Sequence, residues 1–181
     1  MKCSVFIAAS VDGYIARSDG DIDWLHNPAY NLPGSADFGY EAFTCTVDAL
    51  VMGRKSFEKV LTFDSWAYGD MPVVVLSSRR LTVPAEIQDT VMTEGGEPDA
   101  VVARLAERGF KHLYVDGGVT IQRFLQAGLI DEMIVTQIPI LLGEGLPLFG
   151  AIGVEVPLRL LDSASYENGF VQNHYEVLKP T

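Results

Sequence analysis

The chain has 181 residues, of which 48% are hydrophobic and 20% charged, and its formal net charge is −11. That is room for one globular domain with a real core, and the composition excludes a disordered segment. The acidic balance argues against nucleic acid as the main partner, which makes any local cluster of cations more informative.

The apolar runs PVVVL and MIVTQIPILL are too short or too interrupted to span a bilayer, so no membrane partner is expected. The opening MKCSVFIAAS passes at once into the polar VDGYIARSDGD, which is not a leader pattern. Cys3 and Cys45 have no metal-type spacing, and two buried free thiols in a reducing cytoplasm are expected. His26, His112 and His174 form no ligand spacing either, so no metal is expected.

In chain order, CSVFIAAS (3–10) reads as a buried strand, followed by a long irregular segment over 11–33 rich in Asp, Gly, Asn and Pro. A loop of that length in a compact domain is functional or mobile. SADFGYEAFTCT (35–46) has helical spacing, DALVMG (48–53) is a strand and RKSFEKVL (54–61) a helix. MPVVVLSS (71–78) is the next strand. EPDAVVARLAERGF (97–110) is a helix punctuated by Pro98 and Gly109. HLYVDGG (112–118) is a strand, and VTIQRFLQAGLIDE (119–132) a helix that Gly128 can end. EMIVTQIPILLGEG (132–145) is a long extended run broken near Pro139. LRLLDSASY (158–166) and FVQNHYEVL (170–178) flank Asn168-Gly169, whose positive φ angles suit a tight antiparallel hairpin. Strands alternating with helices predict an α/β protein with a mainly parallel central sheet, finished by a C-terminal antiparallel hairpin.

In an open parallel sheet, ligands bind beyond the carboxyl ends of the strands. Three strand-to-helix turns there have suitable chemistry. Gly53-Arg54-Lys55-Ser56 offers close backbone approach, two cations and a hydroxyl; the alternative is a solvated surface pair beside a simple turn. Leu76-Ser77-Ser78-Arg79-Arg80 offers a seat for a phosphate monoester, or is a polar loop. Asp116-Gly117-Gly118-Val119-Thr120 leaves bare N–H groups for a pyrophosphate, or is merely a tight turn. None fits the GxGxxG or P-loop fingerprint. The first two turns hold four of the thirteen lysines and arginines, and parallel strands bring them to one edge, which points to an anionic ligand.

These turns, in this order, resemble the dihydrofolate reductase superfamily, and more closely the riboflavin-biosynthesis reductase domain and its free-standing bacterial relatives. AASVDGYIA, VMGRKSFE, VVVLSSR and LYVDGGVTIQRFLQAGLIDEMIVTQIPILLGEGLPLF carry the likeness, over nearly the whole chain. The resemblance implies a single domain over 1–181, a three-layer dihydrofolate reductase-like fold, and NADPH as cofactor. It implies that Gly53, Arg54, Lys55 and Ser56 hold phosphates, and that Leu76, Ser77, Ser78 and Arg79 surround the 2′-phosphate. Asp116, Gly117, Gly118, Val119 and Thr120 would cover the pyrophosphate, with Ala8 and Ile15 lining the nicotinamide.

On the substrate side it implies Ala9, Trp24 and Thr136, with Asp37 as the acid. Asp37 precedes Gly53 by sixteen residues, the family's spacing. An apolar pocket would raise its pKa for proton donation, whereas a place at a helix start would make it a dipole partner. Trp24 is alternatively a packing anchor of the long loop, and Asp12-Gly13 is as readily a turn as a site.

The implied activity is NADPH-dependent hydride transfer to a pteridine-, pyrimidine- or ribosylaminouracil-like heterocycle by a cytoplasmic homodimer. One rival is a true dihydrofolate reductase; against it, no arginine lies between Ser56 and Ser78 to bind a folate carboxylate. The other rival is a non-catalytic NADPH-binding sensor or scaffold.

Overall fold

Alternation along the strands decides which helix covers which face. In the computed structural model, which describes residues 1–32 and 37–179, strand β3 (Ala49–Gly53) is buried on both sides. Ala49 and Val51 join a core with Val101 and Leu105 of α3 (Pro98–Glu107) and Ile121, Phe124 and Leu125 of α4 (Gly118–Gln126). Leu50 and Met52 point the other way, to Phe43 of α1 (Tyr40–Thr44) and Phe57 of α2 (Arg54–Val60). Each large side chain so buried contributes about 1.5–3 kcal/mol, and period-2 patterning on both faces makes a one-residue register slip prohibitive.

The other strands are β1 (Lys2–Ser10), β2 (Tyr14–Ala16), β4 (Val73–Leu76), β5 (Val91–Glu94), β6 (His112–Asp116) and β7 (Glu132–Ile138). β8 (Leu146–Pro147), β9 (Leu158–Ser165) and β10 (Val171–Val177) complete the set. Eight of them form one sheet in the order β5-β4-β3-β6-β1-β7-β10-β9, in which β10 alone runs against the rest. β2 and β8 pair antiparallel as a separate ribbon. The chain leaves β3 toward β4 but leaves β6 toward β7, on the far side of β1. The ends of β3 and β6 therefore flank a point where the direction of winding reverses, the place where such sheets open a crevice.

Several boundaries differ from expectation. Of the expected helix over 35–46, residues 35 and 36 lie outside the described residues, as does Pro33 of the irregular segment. Helix α1 starts only at Tyr40, because Phe38 and Gly39 are both left-handed, at φ 54° and 84°. Within the segment 119–132 the helix stops at Gln126, and Gly128, at φ 66°, ends it as expected. Of the two thiols expected to be buried, Cys3 is, but Cys45 is exposed. β5 and the β2–β8 ribbon were not expected, being too short and too polar to give a strand period. In the hairpin only Gly169, not Asn168, has positive φ. The Tyr166 carbonyl accepts the Gly169 N–H at 2.9 Å, and Asn168 instead donates to the Tyr30 carbonyl at 2.8 Å, tying the hairpin to the long loop.

That loop is anchored along its length. Trp24 is buried in a small third core with Ile138 and Phe170. Arg17 pairs with Asp23 at 2.6 Å, and Asp21 reaches Lys59 on α2 at 3.1 Å.

Candidate active site

The turns after β3 and β6 meet. A β-carbon at Gly53 would stand 3.1 Å from Thr120 Oγ1, and one at Gly117 only 2.5 Å from Ser56 Oγ. Gly117 also has a φ of 88°, so two independent constraints require glycine there. Ser56 and Thr120 thus bring their hydroxyls to the seam between two glycines and the start of α4. Val119 projects into solvent, 72% exposed.

The cations sort themselves by partner. Arg54 is committed to Glu58 on its own helix at 2.6 Å. Of the thirteen lysines and arginines, only Lys55, Arg79, Arg80 and Lys111 form no ion pair among the described residues. Three of those four stand at the turns that end β3 and β4, on neighbouring parallel strands in the register Gly53↔Leu76. Ser77 closes its own turn by accepting the Arg79 N–H at 3.1 Å and donating to the Arg79 carbonyl at 2.8 Å. Ser78, Arg79 and Arg80 are left exposed.

A fourth turn of the same kind was not foreseen. β5 ends in Glu94-Gly95-Gly96 before Pro98 opens α3, beside the end of β4. The buried Glu94 is held by Arg104 at 2.9 Å and Arg108 at 2.6 Å, and Arg104 also donates to the Gly95 carbonyl. Two glycines followed by a proline were the available signal, hidden by a strand of only four residues.

The β2–β8 ribbon walls the opposite side. A β-carbon on Gly118 would meet the Pro147 carbonyl at 2.7 Å and Ile15 Cδ1 at 3.1 Å. Gln122 of α4 holds that wall by donating to the Pro147 and Leu148 carbonyls at 3.0 and 3.1 Å. Asp12 ties the two loops together, accepting the N–H groups of Leu142 and Gly143 and the Ser10 hydroxyl. The Ser10 bond, then these amides, hold its carboxyl below the usual range.

Asp37 was expected either as the acid or as a helix-start residue. Asp37 is exposed, and its two oxygens accept the N–H groups of Glu41 at 2.8 Å and Gly39 at 3.0 Å. Those bonds lower its pKa instead of raising it, so the helix-start role is the one its geometry fits. Thr136 supports that turn through an intermediary: Gln172 donates to Thr136 Oγ1 at 2.9 Å and to the Phe38 carbonyl at 3.0 Å. The carboxyl with a raised pKa is Asp116, one residue before the Gly-Gly turn. Burial pushes it up to about 6, against the Gly117 N–H that favours its anion. Asp116 in turn opposes ionisation of Tyr40, Tyr68 and Tyr114, already disfavoured by their own burial.

Ala8 and Ala9 face opposite sides of β1. Ala8 packs with the Trp24 cluster, and Ala9 is withdrawn into the α3/α4 core at 4% exposure, so its side chain is not available to a substrate. Trp24 is likewise buried, with an indole N–H that has no partner among the described residues.

Comparison with known proteins agrees with this architecture. The family model described as RibD C-terminal domain matches residues 2–172. The chain is 37% identical over 180 residues to the uncharacterized protein YwjB of Bacillus subtilis (strain 168), covering 96% of this chain and 97% of that one. A crystal structure from Shewanella sp. PV-4, provisionally assigned to riboflavin biosynthesis, is 43% identical with a TM-score of 0.92, covering 99% and 100% of the two chains. Dihydrofolate reductase from Enterococcus faecalis, solved with NADP(H), has a TM-score of 0.65 at 16% identity over 98% of this chain and 97% of its own. That likeness is one of fold: an α/β dihydrofolate reductase-like sheet.

Proposed function

The chain belongs to the RibD C-terminal domain family, and from that premise we propose that it is an NADPH-dependent reductase of a small heterocycle. The observation that carries the proposal is the convergence of Lys55, Arg79 and Arg80, without ion-pair partners among the described residues, on the edge where Gly53, Gly117 and Gly118 bare their backbone. The residues fit a cofactor with several phosphates: two glycine turns, the second too tight for a β-carbon, two hydroxyls at their seam, and cations that pair with no carboxylate among the described residues. In this reading Ser56, Thr120 and the start of α4 receive the pyrophosphate, and Ser77, Ser78 and Arg79 the 2′-phosphate. Gly95 and Gly96 line the adenosine end. Ile15 and Ala8 wall the nicotinamide.

When bound, the reduced nicotinamide supplies the hydride. A C=N bond of a pteridine-, pyrimidine- or ribosylaminouracil-like substrate gains that hydride at carbon and a proton at nitrogen. We assign the proton to Asp116: desolvation brings its pKa up to about 6, so a minor fraction carries the acid near neutrality, and it stands next to the Gly-Gly turn. The β2–β8 ribbon and the loop pinned by Asp21 and Lys59 exclude water from the crevice. None of the described helices is long and apolar enough to cross a membrane; a cytoplasmic location is part of the proposal.

We extend the proposal to a homodimer through β9. Leu158, Leu160 and Leu161 are exposed along this edge strand at 41, 54 and 47%. Such an edge invites pairing unless it is covered. Sedimentation of the purified protein as a monomer at micromolar concentration would remove this part.

The cofactor test is a calorimetric titration with NADPH and NADH. Tight binding of NADPH and weak binding of NADH is expected. Binding of neither removes the reductase reading, and equal binding of both removes the Ser77-Ser78-Arg79 assignment.

A further inference from the structure

We propose that Gln172, on the C-terminal hairpin, is a positioning residue of the reductase site: it holds Phe38 in a strained backbone conformation as part of the wall beside the nicotinamide. The inference rests on the reductase reading above, in which Ala8 lines that end of the cofactor.

Neighbouring strands put Gln172 in place. Thr136 of β7 lies directly across from Ala8 of β1 on one side and from Gln172 of β10 on the other. Residues paired in this way project from the same face of the sheet, so the row Ala8, Thr136, Gln172 is continuous. Ala8 and Phe38 both pack on the apolar cluster of Trp24, Ile138 and Phe170. Gln172 thus reaches the same layer that carries the proposed nicotinamide wall.

Among the described residues, Phe38 is the only one other than glycine with a positive φ, at 54°. A bulky residue stays in that region only where its surroundings over-determine it, and such strain gathers at functional sites. The hairpin supplies the constraints. Gln172 Nε2 donates to the Phe38 carbonyl at 3.0 Å and to Thr136 Oγ1 at 2.9 Å. The Phe38 ring stands edge-on to Tyr166 at 4.9 Å and tilted against Phe170 at 5.1 Å, both at the hairpin turn. A carbonyl can only accept, so the amide nitrogen is the atom that faces Phe38, and the Tyr166 hydroxyl lies 3.4 Å from the amide oxygen. The side chain therefore has one orientation, and it fixes the backbone of Phe38 from outside the loop. The consequence is a split: the surroundings of the nicotinamide depend on Gln172, whereas affinity carried by the phosphate turns after β3 and β4 does not.

The test is a fluorescence titration with NADPH, whose reduced nicotinamide emits more strongly in a dry, rigid site than in water. Gln172→Met keeps the length of the side chain and removes both bonds; Gln172→Glu keeps its shape and sets a carboxylate oxygen against the Phe38 carbonyl. Both are expected to keep NADPH affinity within about two-fold and to lose at least about half of the emission gained on binding, Glu more than Met. Ser163→Ala removes a 2.7 Å bond to Asn173 on the opposite face of the same hairpin and should match the parent in both readouts. An undiminished emission gain in the Gln172 variants overturns the inference. So does an equal loss in Ser163→Ala, which marks general loosening of the hairpin, or an affinity loss as large as the emission loss. If Gln172→Glu does not fold, Gln172→Met decides. A parent protein that binds no NADPH removes the reductase reading and this inference with it, whereas binding with unchanged emission across the variants removes the inference alone.

Discussion

Ser56 and Gly117 belong to turns sixty residues apart in the chain, yet a β-carbon at residue 117 would lie 2.5 Å from the Ser56 Oγ. The two turns are one structure, created by the pairing of β3 with β6 in the register Met52↔Asp116. Gly117→Ala is therefore expected to lower NADPH affinity by at least ten-fold, through the clash and through a left-handed φ costing about 1–2 kcal/mol. Adding Ser56→Ala should restore part of the stability lost, since the next contact is at 3.6 Å, but not the affinity. Thermal melts and cofactor titration of both variants separate the two effects.

Asp116 links stability to pH. Its folded pKa, about 6, lies above the ordinary aspartate value of 3.8, so the native state holds the proton more tightly than the unfolded chain. Stability from this group is full below about pH 4 and is lost as pH rises through 6, a penalty on the order of 2–3 kcal/mol at neutrality. Asp116→Asn should consequently be more stable than the parent at pH 7.5 and equal to it near pH 4, while turnover falls. Urea unfolding at the two pH values checks the sign; a variant less stable at pH 7.5 refutes it.

Asp37 has the opposite linkage. Its pKa is lowered by the Glu41 and Gly39 amides, so its stabilising effect is present above pH 4 and lost as pH falls through the folded value. Asp37→Asn should lower the melting temperature at pH 7 by a few degrees, with the difference shrinking in acid, and should leave turnover within about two-fold. A loss of turnover of about a hundred-fold would return Asp37 to the mechanism.

Gln122 carries the wall that faces Gly118. Removing its two bonds to the Pro147 and Leu148 carbonyls in Gln122→Ala should cost about 1–2 kcal/mol of stability. NADPH affinity should fall several-fold with little change in the turnover number at saturation. Steady-state kinetics over a range of cofactor concentrations distinguishes this from a defect in chemistry.

Arg79→Ala should weaken NADPH by roughly ten-fold and leave NADH unchanged, because in the proposed reading the exposed side chain serves only the extra phosphate. The effect should shrink as salt rises. Equal losses for both cofactors would assign Arg79 elsewhere.

The fold was largely legible in the sequence because buried parallel strands are written as continuous apolar runs. DALVMG, PVVVL and HLYVDG each mark a strand whose core is found where expected. β5 was not legible: VMTE is short, exposed at Thr93, and distinguished only by the glycines after it. Helix α1 was overextended because helical spacing does not register the left-handed pair Phe38 and Gly39. At the site, the glycine turns were readable from local chemistry, but which carboxyl has its pKa raised was not, since burial sets a carboxyl's pKa and burial is a property of the packed chain.

The sequence by itself determined that the protein is α/β, that its cations gather at strand ends, and that three turns suit phosphates, because these follow from local periodicity and residue chemistry. Only the tertiary structure decided which cations remain free. Arg54, which stands beside Lys55 in the chain, is bound by Glu58, while Arg79 and Arg80 form no ion pair among the described residues. Strand order alone brought Gly117 against Ser56 and set Asp116 near the tyrosines whose ionisation it opposes, because register and burial arise only when distant segments pack.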